Sequence, residues 1–160
     1  MQEKENAIVV SVENLSVDFA DGGNGQDGAG AVKYVSFEIQ KGEILGIVGE
    51  SGSGKSVTAL TLMGLESEDA RITSGEIKFG GRTLRKAGKR AEEKLYREYR
   101  GKHMSMVFQE PMTSLNPVQR AGRQAEEMLK LHTDLGKKER KEKVPETFRS
   151  VGLTDAERVY

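Results

Sequence analysis

Along residues 8–19, IVVSVENLSVDF, apolar and polar positions alternate around β-branched side chains, which predicts one or two strands. Residues 32–39, VKYVSFEI, alternate again. The stretch ADGGNGQDGAGA between them is too rich in glycine for anything but a turn or flexible loop. A different pattern marks ILGIV (44–48) and MSMVF (104–108): both are short and almost wholly apolar, as strands buried on both faces of a parallel sheet are. GEIKFGGRTL (75–84) predicts a hairpin that turns at Gly80–Gly81.

Helical spacing fills most of the remainder. In KSVTALTLMGL, Val57, Leu60 and Gly64 share one face, with Gly64 at the helix end. In AEEKLYREYR (91–100), Ala91, Leu95 and Tyr99 recur at helical intervals, Glu93–Arg97 is an i,i+4 pair and Gly101 is the C-cap. Asn116 as cap and Pro117 at the first helical position predict a helix whose face continues through Val118, Ala121, Ala125, Leu129 and His132. KKERKEK (137–143) is a solvated helical surface. Val144, Phe148 and Val151 form the buried stripe after it, and Gly152 closes the helix. Pro145 falls inside that stretch, where its ring opposes a regular helical turn.

Composition narrows the function classes. A length of 160 residues predicts one domain, able to bury about two-thirds of its unfolded surface. Lys plus Arg equals Asp plus Glu, 25 each, so charge makes no case for nucleic acid or an anionic membrane. The absence of cysteine excludes disulfides, thiolate zinc sites and iron–sulfur clusters, and fits a reducing compartment. MQEKENAIVVSV has no signal-peptide pattern. No apolar stretch approaches the ~20 residues that span a bilayer, so work at a membrane would need another chain to cross it.

The chemistry is concentrated in GESGSGKS (49–56). Gly49, Gly54, Lys55 and Ser56 match G-x-x-x-x-G-K-[ST], with an apolar run before and a helical pattern after. Glycines let the backbone wrap tightly and turn successive N–H groups inward. The helix start adds partial positive charge, Lys55 supplies a compact cation for the β- and γ-phosphates, and the Ser56 hydroxyl can ligate Mg²⁺. A rival motif, Gly23, Gly25 and Gly28 in G-x-G-x-x-G, fails on context. A strand follows it rather than a helix, and Asp21 and Asp27 would repel a pyrophosphate. The hydrolytic partners of a phosphate loop are missing. Asp69, Asp134 and Asp155 are the aspartates after the loop; none follows a suitable apolar strand or precedes Glu, and no N-K-x-D occurs.

GIVGESGSGKSVTAL followed by GKHMSMVFQEPMTSLNP resembles the ATP-binding subunits of bacterial ABC importers, nearest the oligopeptide/dipeptide group that includes nickel and glutathione importers. The resemblance runs from about residue 8 to residue 160. It implies an α/β P-loop NTPase fold with an antiparallel β subdomain: residues 1–110 would hold that subdomain, the start of the core and the Q-loop, and 111–160 the start of the helical subdomain. By position, Gly49, Glu50, Ser51, Gly52, Ser53, Gly54, Lys55, Ser56 and Val57 would bind ATP–Mg²⁺. Gln109 would be the Q-loop glutamine, touching Mg²⁺ or the attacking water, and Phe19 the aromatic that stacks on adenine. His103 and His132 do not fall at the family's switch histidine.

The family's signature L-S-G-G, Walker B strand, D-loop and switch histidine follow a segment resembling VGLTDAERVY, the last residues here. The expectation is therefore the N-terminal portion of such a domain, truncated before those motifs, binding ATP–Mg²⁺ but not hydrolysing it alone. The resemblance also implies a second ATP-binding subunit, membrane-spanning partner subunits and a peripheral place on the cytoplasmic face of the plasma membrane. Two other readings stay open: a small self-contained P-loop kinase, which would need an acidic strand end and a mobile arginine lid, and a non-catalytic module that docks on transporter membrane subunits.

Overall fold

β1 (Ile8–Phe19) is the spine of a four-stranded antiparallel sheet, flanked by β2 (Gly30–Gln40) and β3 (Ala70–Phe79), with β4 (Arg82–Lys86) outside β3. The structure, a computed structural model, describes residues 7–20, 30–109 and 114–160, so the glycine motif at 23–28 with Asp21 and Asp27 lies outside the described residues. The chain divides into two compact units, Met1–Arg100 and Gly101–Tyr160.

The hairpin is where the sequence places it. Phe79 pairs with Arg82 across a two-residue turn, and Gly80 and Gly81 both take positive φ, 54° and 78°, as a type I′ turn requires. Alternation in β1 and β2 puts Val12, Leu15, Val17 and Val32 into one core with Ala70, Ile72 and Ile77 of β3, and Val57 and Leu62 pack against it. Each fully buried Val, Leu or Ile contributes roughly 1.5–3 kcal/mol, so this face holds the sheet and the helix after the phosphate loop together.

The β1–β2 ladder shifts register at four places, and the middle two offset each other. Val12 pairs with Phe37 and Leu15 with Val35, so β1 carries an extra residue there; Leu15–Val35 and Val17–Val32 put the next extra residue on β2. Asn14 (φ 48°) and Tyr34 (φ 50°) sit at these bulges in the left-handed region. A serine across the ladder takes each exposed amide: Asn14 N–H donates to Ser36 Oγ at 2.8 Å, and Tyr34 N–H to Ser16 Oγ at 3.0 Å.

α1 (Lys55–Leu62) begins directly at the glycine loop. Thr58 and Thr61 are its buried residues; their hydroxyls donate to the Gly54 and Val57 carbonyls one turn back. Gly64 ends the helix as expected: with φ 62° it lets Leu65 N–H reach Leu60 O and its own N–H reach Thr61 O, a Schellman ending. α2 (Glu93–Tyr99) carries the predicted Glu93–Arg97 pair at 3.3 Å, but Leu95 and Tyr96, not Tyr99, are its buried residues. A buried polar cluster lies beside it. Arg85 Nη2 donates to Glu66 Oε1, Arg85 Nη1 donates to Lys89 O at 2.6 Å, and the Tyr96 hydroxyl is buried without a hydrogen-bond partner.

Two expected strands do not form. None of residues 44–48 is in a strand, and Ile44 is 96% exposed; 105–108 are likewise outside any strand, and Val107 is 93% exposed. An apolar run records a preference for burial but not the ladder that satisfies it. The sheet among the described residues is wholly antiparallel and offers these runs no parallel neighbour.

In the second unit the helix predicted from Asn116 starts later, as α3 (Ala121–His132). Asn116 instead caps a single turn: its Oδ1 accepts from Val118 N–H at 3.1 Å, and its backbone pairs with the Gln124 amide at 2.9 and 3.0 Å. Val118 is exposed. α4 (Lys137–Ser150) runs through Pro145 without a break, contrary to expectation. Pro145 and Val144 are both buried, which offsets the ~3 kcal/mol that an interior proline costs. Val151 is exposed and leaves the predicted stripe at Val144 and Phe148. Gly152 takes φ 90° at the helix end. In α5 (Ala156–Val159) Ala156 is fully buried, and Gly122 of α3 is packed so closely on Tyr160 that a Cβ there would lie 2.5 Å from Tyr160 Cα. The Tyr160 hydroxyl donates to Glu126 at 2.7 Å, and that bond, with Arg140 beside it, holds the Glu126 carboxyl below its ordinary value.

Candidate phosphate-binding site

The loop at 49–54 turns on two glycines in the left-handed region, Gly52 (φ 80°) and Gly54 (φ 86°). Ser53 N–H donates to Glu50 O at 3.2 Å, closing a tight turn inside the loop. Gly54 admits no other residue: a Cβ there would lie 2.3 Å from the Ala31 carbonyl oxygen of β2. Its carbonyl accepts from both Thr58 N–H (2.8 Å) and Thr58 Oγ1 (2.9 Å), so the loop is anchored below by a residue the motif does not name.

Lys55 folds back over the loop. Its Nζ donates to the Gly49 and Glu50 carbonyls, each at 2.7 Å, and approaches Ser53 Oγ at 3.3 Å. These oxygens hold the ammonium within the arc of the loop. Among the described residues no side chain caps the start of α1, and no acidic residue stands in its first turn, which leaves the first-turn amides at the positive end of the helix uncapped. Ser56 is exposed, and Val57 turns inward against the sheet core. A cavity of about 520 Å³ opens beside the loop, between it and β2; Gly49, Gly52, Ser53 and Lys55 line one side and Val32 and Phe37 the other.

This constellation fits a nucleotide's phosphate tail. Left-handed glycines, uncapped first-turn amides and one lysine make a concave anion site. The exposed Ser56 hydroxyl is the group that would hold a Mg²⁺ brought in with the phosphates. Among the described residues no cluster of three His, Asp or Glu forms an independent metal site.

Two further predicted site residues are Phe19 and Gln109. Phe19 ends β1, pairs with Ala70 and packs half-buried against the edge of the sheet core. Gln109 belongs to the second unit, exposed and outside any helix or strand, and the four residues after it lie outside the described part. Thr58 and the Ser16–Tyr34 contact escaped the sequence reading. A threonine three positions beyond the lysine was the available sign of the first.

Comparison with known proteins agrees with this geometry. A family model described as "ABC transporter" matches residues 32–160. The dipeptide transport ATP-binding protein DppD of Lactococcus lactis subsp. cremoris is 43% identical over 150 residues, covering 93% of this chain and 41% of that protein. The oligopeptide transport ATP-binding protein AppD of Bacillus subtilis is 45% identical over 130 residues, covering 81% and 38% respectively. The chain thus spans about two-fifths of the length of these relatives. A solved dimeric ATP-binding cassette in a post-hydrolysis state, bound to ADP and Pi, superposes with a TM-score of 0.68 at 24% identity, covering 91% of this chain and 58% of that one; at that identity it establishes the fold alone. Among the described residues no helix is long and apolar enough to cross a membrane.

Proposed function

The chain belongs to the ABC transporter family, and from that premise we propose that it is the ATP-binding component of an importer for peptides or similar small solutes. The observation that carries the reading is the Lys55 ammonium drawn onto the Gly49 and Glu50 carbonyls at the uncapped start of α1, a grip shaped for a polyphosphate. Bound ATP–Mg²⁺ supplies the energy of the phosphoanhydride bond; the residues here bind and orient it. Amides of Gly49–Val57 wrap the phosphates, and Lys55 exchanges its loop carbonyls for β- and γ-phosphate oxygens. The Ser56 hydroxyl would hold Mg²⁺. Phe19 would stack on adenine, and Gln109 would meet Mg²⁺ or the attacking water and report to the membrane-spanning subunits. A second ATP-binding subunit completes the machine, at the cytoplasmic face of the plasma membrane.

Calorimetry with Mg-ATP tests this directly. The 160-residue chain binds Mg-ATP, Lys55→Ala abolishes binding while leaving the circular dichroism unchanged, and no turnover accompanies binding. At a hundredfold excess of ligand over Kd the chain gains about 2.7 kcal/mol of stability. No binding to folded protein, or phosphoryl transfer to a small acceptor, overturns the reading.

A further inference from the structure

We propose that Lys33 is a second cation of the phosphate site, turned toward it by the bulge in β2; the inference rests on the nucleotide-binding reading of the loop. Gly30, Ala31, Val32 and Lys33 of β2 follow one another along the wall of the cavity beside the loop. The bulge breaks the alternation. Val32 and Val35 of β2 span the same ladder step as Val17 and Leu15 of β1, with one residue more between them, and Tyr34 takes the left-handed φ of 50° that absorbs it. Tyr34 is left 74% exposed.

A left-handed conformation costs a bulky residue on the order of 1–3 kcal/mol and persists only where its surroundings fix it. Here they do: Tyr34 N–H donates to Ser16 Oγ, and the buried Ser16 hydroxyl lies 2.8 Å from that of Ser74 on β3. The lysine stem lies close over Gly30, where a Cβ would meet Lys33 Cε at 2.7 Å and Asp18 Oδ1 at 3.2 Å, so the absence of a side chain at Gly30 makes room for it. Lys33 and Lys55 are the charged residues among those lining the cavity, and both are positive. Lys33 makes no ion pair or hydrogen bond among the described residues. Lys55 is committed to the end of the phosphate tail nearest the helix. Lys33, on the opposite wall, adds charge to the part of the ligand that lies across the cavity.

Isothermal titration with Mg-ATP at low ionic strength tests this. Lys33→Gln weakens Kd roughly five-fold, as expected for one exposed charge contact, and Lys33→Glu weakens it further. Lys33→Arg restores most of the affinity. The gap between Lys33→Gln and the unaltered chain closes as salt rises to about 0.5 M, where screening acts over only a few ångströms. Equal Kd values for the unaltered chain and Lys33→Gln at low salt overturn the assignment of Lys33 while leaving the loop's role standing. Absence of binding by the unaltered, folded chain overturns both.

Discussion

Arg100 reaches back to the end of the phosphate-loop helix, where its Nη2 donates to the Gly64 carbonyl oxygen at 2.6 Å. Its Nε donates to Met63 O at 2.7 Å, Nη1 holds Glu93 at 3.2 Å, and the guanidinium lies over the Tyr96 ring, 4.9 Å from its centroid. One side chain therefore ties α2 to the carbonyl end of α1, whose other end carries the lysine. Arg100→Ala is expected to lower the unfolding free energy by about 2–3 kcal/mol in urea titration. Arg100→Lys recovers only part of that, because an ammonium cannot match two carbonyls and a ring with one planar fork.

The Glu66–Arg85 pair has side chains only 9% and 5% exposed, so removing one charge strands the other. Arg85→Met is expected to cost about 3–5 kcal/mol, and Glu66→Leu combined with Arg85→Met clearly less than that single change. Thermal melts of both variants decide it; a double variant weaker than Arg85→Met would contradict the account.

Tyr96 gives the fold an alkaline limit. Burial first, and the Glu66 carboxylate second, push its hydroxyl up to about 12. The folded state then keeps a proton that the unfolded chain releases near pH 10. The stabilisation is complete below that pH and is lost as pH rises from 10 toward 12, by roughly 2–3 kcal/mol over the window. Tyr96→Phe removes a buried hydroxyl that has no partner and is expected to abolish this fall in stability without weakening the protein at pH 7. Chemical denaturation at pH 7, 10 and 11 reads both effects.

The glycines of the loop and the hairpin differ in what surrounds them. Gly80 has nothing within 4 Å of a would-be Cβ, so Gly80→Ala meets only the conformational penalty of about 1 kcal/mol. Gly54→Ala also drives a methyl into the Ala31 carbonyl and is expected to cost at least twice as much and to abolish Mg-ATP binding. Equal melting temperatures for the two variants would refute the packing argument.

What could be read from the chain was whatever local chemistry specifies. Gly80–Gly81 dictates its turn, and GESGSGKS dictates a loop and a helix start, because φ preference and uncapped amides are properties of the residues themselves. ILGIV and MSMVF misled because a buried strand is defined by its neighbours, and composition names no neighbour. Pro145 misled in the other direction: it is buried within α4, and the helix continues through it despite the missing amide. The Glu66–Arg85–Tyr96 cluster joins residues 19 and 30 positions apart, with no period to betray it. Lys33 reads as the polar partner of an alternating strand, and nothing local to it announces the ladder shift between Val32 and Val35.

The paired bulges of β1 and β2 also bear on how this ribbon can change over generations. A single codon lost at Tyr34 would rotate the side chains between there and Gly30 onto the wrong surface, and a second lost at Asn14 would not undo it, because the extra residue of β1 is also built into its ladder with β3, between Glu13 and Ser16. The length of this ribbon is therefore set by three strands at once.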